Sequence, residues 1–423
     1  MPAVYAGGMT DATDARLAAQ YETYPYPRRD PRDEAKRLII GSPGHLREID
    51  HWVFGGRRPA SRPLHALIAG GGTGDATIML AQQMARAERP GSVTWLDRAS
   101  ASLKLARERA AMRGLSNIVW EQRSLLDLPG SGLGPFDYID CCGVLHHLPD
   151  PAAGLRALLS VLAPGGGLGL MVYAPHGRTG VYMLQDALRL LVPVDEAPAA
   201  RLDVAKRVMR HLPETAWLRR NGFLDDHING GDAGLYDLLL NPRDRAFTVP
   251  ELHALLASEG LTVSCWVEPA RYDPIPMLPD PRLRARVNAL DAVRRAALAE
   301  ALAGNVSAHI VYCVRQDEQT KRADFMADAV VPVTREGPGE ALAGAVQPDG
   351  IIGFMIDGLR VPIALPPLAP AILRLVDGRR SVGGIAAALA EKGTGDDAFR
   401  RAWRSTFVAL EHINRLLLAA PAG

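Results

Sequence analysis

The sequence predicts an α/β chain: a doubly wound, mainly parallel sheet of about seven strands, followed by a small α+β module. Three observations carry this reading. Strand and helix patterns alternate from about residue 64, a cluster of glycines follows the first strand, and a hairpin pattern with an Asp-Gly turn opens the last stretch.

The elements follow in order. "LHALIAG" is a first strand and "DATIMLAQQMARA" its helix; "SVTWLD" is a second strand, and the helix after it ends at Gly114. "NIVWEQ" and "FDYIDCCG" are the third and fourth strands. A helix over 151–166, stopped by Pro164 and its glycines, leads into the strand "GLGLMVYA". Residues 178–192 form an amphipathic helix. The stretch 193–245, rich in charge, Gly and Pro, reads as an irregular lid, which extends the insertion to about 178–245. Thr248 then caps a helix with Pro250 and Glu251 in its first turn. "LTVSCWVE" and "SAHIVYCVR" are two late strands, with a helical insertion at about 281–303 between them. The domain plan is an N-terminal arm (1–60), the sheet domain (61–316), a linker (317–345) and a winged-helix-like module (346–423).

Composition narrows the function. A formal net charge of +1 gives no reason to expect nucleic acid or an anionic membrane, and the module's charges are mixed rather than a basic stripe. No apolar run approaches the roughly 20 residues of a membrane span, and the N-terminus lacks a secretory pattern. Four cysteines make no disulfide framework. We therefore expect a soluble, cytoplasmic protein with no nucleic-acid, membrane or metal partner; the oligomeric state stays open.

The glycine cluster decides the cofactor. A dinucleotide fingerprint requires Gly-x-Gly-x-x-Gly. Counted from Gly70, its third glycine falls on Asp75, and the spacing present is Gly70-x-Gly72-x-Gly74. Asp97 ends the second strand, where a carboxylate can accept both hydroxyls of a ribose. "GVLHHLPDP" follows the fourth strand, in the crevice where such sheets place ligands.

Together "LIAGGGTG", "WLDRASASLKLARERA", "FDYIDCCGVLHHLPDP" and "LAPGGGLGLMVYA" resemble the class I S-adenosylmethionine-dependent methyltransferase family. The resemblance implies a Rossmann-like sheet whose last strand is antiparallel, and S-adenosyl-L-methionine as cofactor. It implies cofactor contacts from Gly70, Gly71, Gly72, Thr73, Gly74, Asp97, Arg98, Ser124, Leu125 and Gly143. Two positions depart from the family pattern. Ile68 stands where an acidic residue often helps hold the methionine ammonium, and Ser124 where an Asp often contacts adenine.

Methyl transfer to a small-molecule or protein acceptor needs alignment, and a base only if the acceptor arrives protonated. His146, His147 and His176 are the candidate bases; Tyr24 and Tyr26 of "QYETYPYPRRDP", with Tyr236 of the lid, are the candidate acceptor contacts. The prolines make that arm stiff and extended. Two other readings compete. A nicotinamide-dependent oxidoreductase is disfavoured by the missing glycine. A non-catalytic scaffold binding a peptide or protein through the C-terminal module is suggested by the changes at Ile68 and Ser124.

Overall fold

The computed structural model describes residues 6–318 and 322–420; the ends of the expected arm and module, and three residues of the expected linker, lie outside this range. Seven strands form the main sheet: β1 (Leu64–Ala69), β2 (Gly91–Asp97), β3 (Ile118–Gln122), β4 (Phe136–Cys142), β5 (Leu162–Tyr173), β6 (Leu261–Trp266) and β7 (Ala308–Arg315). Their order is β3-β2-β1-β4-β5-β7-β6. Only β7 runs antiparallel, between β5 and β6. The central strands are apolar on both sides: β1 buries every residue but His65, as a parallel strand covered on both faces must. The chain reverses its winding between β1 and β4, and that switch point opens the crevice at the strands' carboxyl ends.

Thr248 caps its helix as expected, with a reciprocal bond between its backbone N–H and Glu251 Oε2 at 2.8 Å. Elsewhere the boundaries move. The helix expected over 151–166 ends at Leu159, and β5 already begins at Leu162. Pro164 lies where the β4–β5 register shifts, so its missing N–H breaks no ladder bond.

The lid is helical rather than irregular. Helices Val181–Leu191, Pro198–Arg210 and Gly231–Leu240, with two short ones, close over a core that includes Leu184, Leu188, Leu202, Leu235 and Leu238. Its Gly and Pro residues sit mainly at the connections, so the average composition hides the helical spacing. The arm also differs from its extended reading: a helix runs from Ala6 to Thr23, and the Pro-rich strap begins only at Tyr24.

The expected linker belongs to the C-terminal module. It contributes β8 (Val331–Thr334) and the helix Gly339–Ala345. The hairpin pairs β9 (Ile351–Ile356) with β10 (Leu359–Ala364), and Asp357 and Gly358 have φ of 44° and 82°, a turn with two left-handed residues. Three helices follow, and β11 (Leu416–Ala419) returns to pair with β8. Glu48, fully buried, ties this module to the sheet. It pairs with Arg335 and accepts from Ser42 Oγ (2.7 Å), Tyr312 Oη (2.7 Å) and Asn414 Nδ2 (2.6 Å). Among the described residues no helix is long and apolar enough to cross a membrane.

Candidate active site

A cavity of about 690 Å³ occupies the switch point, floored by the glycine turn and roofed by the N-terminal helix. Protein contacts hold the turn rigidly. Gly70 and Gly71 donate their N–H groups to Leu96 O (2.8 and 2.9 Å), Trp95 Nε1 donates to Gly72 O (3.1 Å), and Arg109 donates to Thr73 O (2.7 Å). Gly70, Gly72 and Gly74 have φ of 85°, 47° and 102°, the left-handed region. A Cβ at Gly70 would collide with Val144, and one at Gly71 with the Trp95 ring. Most of the glycines are thus demanded by the fold itself, in addition to any ligand lying above them. Gly71→Ala is expected to cost about 1–3 kcal/mol of stability, because the indole has no room to yield. An unchanged urea midpoint would contradict that packing.

Asp97 closes the adjoining wall. Its Oδ2 accepts from Gly72 N at 2.8 Å and its Oδ1 from Ala99 N at 3.0 Å, which fixes the carboxylate and leaves each oxygen one further lone pair. Arg98, Ser124 and Leu125 continue this wall, and Gly143 lies across from it at the end of β4. Ser124 Oγ already accepts the N–H of Leu126 at 3.2 Å, so its cap role is established within the protein. The helix Ser100–Met112 is capped from outside: Glu22 of the N-terminal helix accepts from the N–H of Ser100 at 3.0 Å and also binds its hydroxyl. That bond docks the roof.

The opposite end is rich in phenols and acid. Tyr21 and Tyr173 both donate to the buried Asp237, at 3.0 and 3.1 Å, and Gln20 donates to it as well. Burial and then the Asp237 charge push both phenols well above their usual range. With their protons committed to Asp237, these oxygens present lone pairs elsewhere. Asp75 opens the helix after the turn. Against the desolvation of burial, Arg29 (2.5 Å) and Arg109 (2.7 Å) hold its carboxyl below the usual range.

The structure sorts the predicted residues. Gly70 to Gly74, Asp97, Arg98, Ser124, Leu125, Gly143, Tyr26 and His147 all line the cavity. His147 donates Nδ1–H to Arg243 O at 2.6 Å, because a carbonyl can only accept; this leaves Nε2 free to take a proton in the neutral ring. His146 does not reach the cavity. It is fully buried against Tyr173, with ring centroids 3.9 Å apart and neither nitrogen partnered, and desolvation drives its pKa far down. His176 is exposed on the loop after β5 and also falls outside. Tyr24 stacks on Tyr236 at 5.2 Å, and Arg201 donates to the Tyr236 hydroxyl at 3.0 Å, so this pair joins arm to lid instead of lining the cavity.

Tyr21, the first tyrosine of "QYETYPYPRRDP", also lines the wall, although sequence reasoning singled out only Tyr24 and Tyr26 of that arm; it missed Tyr173 and Asp140. The signal for Asp140 was an acid inside the otherwise apolar "FDYIDCC". Among the described residues, no group of three His, Cys, Asp or Glu is placed to hold a metal ion.

Residues 67–168 match the family model of a methyltransferase domain. Over that stretch the chain carries a methyltransferase domain, similar to those of class I S-adenosylmethionine-dependent methyltransferases. An uncharacterized protein of Synechococcus sp. is 31% identical over 272 residues, 63% of this chain and 63% of its own length. A ubiquinone biosynthesis O-methyltransferase of Acinetobacter baylyi is 29% identical over 153 residues, 36% of this chain and 60% of that protein. The chain therefore spans about six tenths of the length of each of these relatives. The solved structure of PKMT2 from Rickettsia typhi in complex with AdoHcy shares the fold, with a TM-score of 0.61 at 16% identity, over 90% of this chain and 75% of that one. The matched residues run from within β1 to within β5 and include the glycine turn and Asp97 on the cavity wall.

Proposed function

We propose that the chain transfers a methyl group from S-adenosyl-L-methionine to a small-molecule or protein acceptor. The observation that carries this reading is the single cavity that joins the turn at Gly70–Gly74 to a fixed Asp97 carboxylate with lone pairs to spare. The Asp97 oxygens would receive the ribose hydroxyls, and Ser124 and Leu125 would flank the adenine. When bound, the cofactor supplies a methyl group already activated on a sulfonium. The protein then has to align the acceptor and exclude water, toward which the N-terminal helix roofs the cavity and the lid contributes Asp237 to its wall. Acceptor contacts come from Tyr21, Tyr26 and Tyr173, and His147 Nε2 takes a proton where the acceptor carries one. The curated relative named as an O-methyltransferase favours a hydroxyl acceptor. Four free cysteines support a cytoplasmic location.

Thermal-shift titration tests the reading. S-adenosylhomocysteine should raise the melting temperature in a concentration-dependent way, by mass action on the native state, while NAD should leave it unchanged. A rise with NAD alone would refute the proposal.

A further inference from the structure

The cavity wall holds six carboxylates, and five of them are already engaged. Asp14 pairs with Arg243 at 2.7 Å, and Asp75 with Arg29 and Arg109. Glu22 caps the helix at Ser100, Asp97 takes two backbone N–H groups, and Asp237 takes the protons of two phenols. Asp140 is the sixth, and it differs. Its exposure is 0%, its Oδ1 has no partner, and its Oδ2 receives one hydroxyl, Tyr138 Oη at 3.2 Å. No cation is paired with it among the described residues. A buried carboxylate without a counter-charge is costly, and burial lifts its pKa to about 7 against the Tyr138 hydroxyl and the backbone N–H of Cys142, which favour its charged form.

Its place in the sheet gives that cost a use. Asp140 on β4 lies in register with Ile68 on β1, two residues before the turn begins at Gly70. The space beside it is lined by Ile68, Cys142 and Met171. None of these supplies a charge, so whatever enters this end must bring its own. The strap closes the far side: a Cβ at Gly44 would sit 2.7 Å from Asp140 Oδ2, so only glycine leaves the carboxylate in place.

We propose that Asp140 is the receptor for the α-ammonium of the cofactor's amino-acid part. The assignment rests on the reading of the cavity as an S-adenosylmethionine site. The ammonium would pair with the unpartnered Oδ1 and supply the missing counter-charge. This makes Asp140 the residue that distinguishes an adenosyl amino acid from an adenosyl thioether lacking one.

Calorimetry with two probes tests it: S-adenosylhomocysteine, which carries the ammonium, and 5′-methylthioadenosine, which does not. Asp140→Asn keeps the shape and removes the charge. It should weaken S-adenosylhomocysteine binding at least tenfold and leave methylthioadenosine within about twofold of wild type. Asp140→Asn affinities that fall together, or that do not fall, overturn the assignment; a common fall would mean that Asp140 only supports the fold. A second comparison needs no folding assumption about the variant. Wild-type protein should bind the desamino analogue of S-adenosylhomocysteine, which retains the carboxylate, at least tenfold more weakly than the parent compound. Equal affinities would overturn the assignment too. If wild type binds neither S-adenosylhomocysteine nor methylthioadenosine, the reading of the cavity falls, and this assignment with it.

Discussion

Asp97→Ala is expected to lower S-adenosylhomocysteine affinity about 100-fold. The carboxylate is positioned before any ligand arrives, held by the N–H groups of Gly72 and Ala99 at 2.8 and 3.0 Å. Two ribose hydroxyls would complete it, each through a charge-assisted hydrogen bond worth roughly 1.5–3 kcal/mol. Loss of both corresponds to about 3 kcal/mol, which at about 1.4 kcal/mol per tenfold gives that factor. The substitution also frees the N–H of Gly72, so the turn loses one of its pins. Asp97→Asn separates the two contributions. An amide keeps one acceptor oxygen, but it sets an N–H donor against one of the backbone donors. It should therefore bind less tightly than wild type and more tightly than Asp97→Ala. Calorimetry showing both variants at wild-type affinity would remove the ribose from this end of the cavity.

Local rules made much of this site legible, and distant contacts made the rest invisible. The turn and Asp97 are adjacent in the fold because β1 and β2 are neighbours, and strand order in such a sheet follows from the alternation of strand and helix. The capped helix at Thr248 and the Asp-Gly hairpin are likewise decided within four residues of chain. Tyr21 and Asp237 are different: they are hydrogen bonded across 216 positions, and no pattern around either one announces the other. His146 and His147 show the limit most sharply. They are consecutive and share a short helical turn, yet one ring lies on the core side and the other on the cavity wall. Sequence spacing identifies the pair but not which ring faces the cavity. The segment 331–345 was misread because "VPVT" is too short to signal a strand, and its partner β11 lies at the other end of the module.

Glu48→Ala is expected to destabilise the protein by about 3–5 kcal/mol, as the loss of one partner from a buried ion pair usually does. Glu48 is fully buried and gathers groups from four places: Ser42 in the strap, Tyr312 on β7, Arg335 after β8 and Asn414 before β11. Removing its carboxylate leaves the buried Arg335 guanidinium with the half-exposed Glu336 as its remaining carboxylate among the described residues, beside the neutral Gly41 O and Ser42 Oγ. The cost comes mainly from that orphaned charge, so a second substitution should recover part of it. Glu48→Met with Arg335→Met replaces the pair by apolar groups and should be more stable than Glu48→Ala alone. Urea denaturation of the single and double variants distinguishes the cases; a Glu48→Ala protein within 1 kcal/mol of wild type would contradict the argument. The same substitution should reach the cavity. Tyr312 Oη donates to Glu48 and accepts the N–H of Gly44 at 3.0 Å, and Gly44 packs directly against Asp140. Releasing Tyr312 loosens the wall behind the carboxylate, so S-adenosylhomocysteine should bind more weakly to Glu48→Ala even where the variant is fully folded. The C-terminal module is thereby coupled to the cavity through one buried anion, without any of its own described residues lining the cavity.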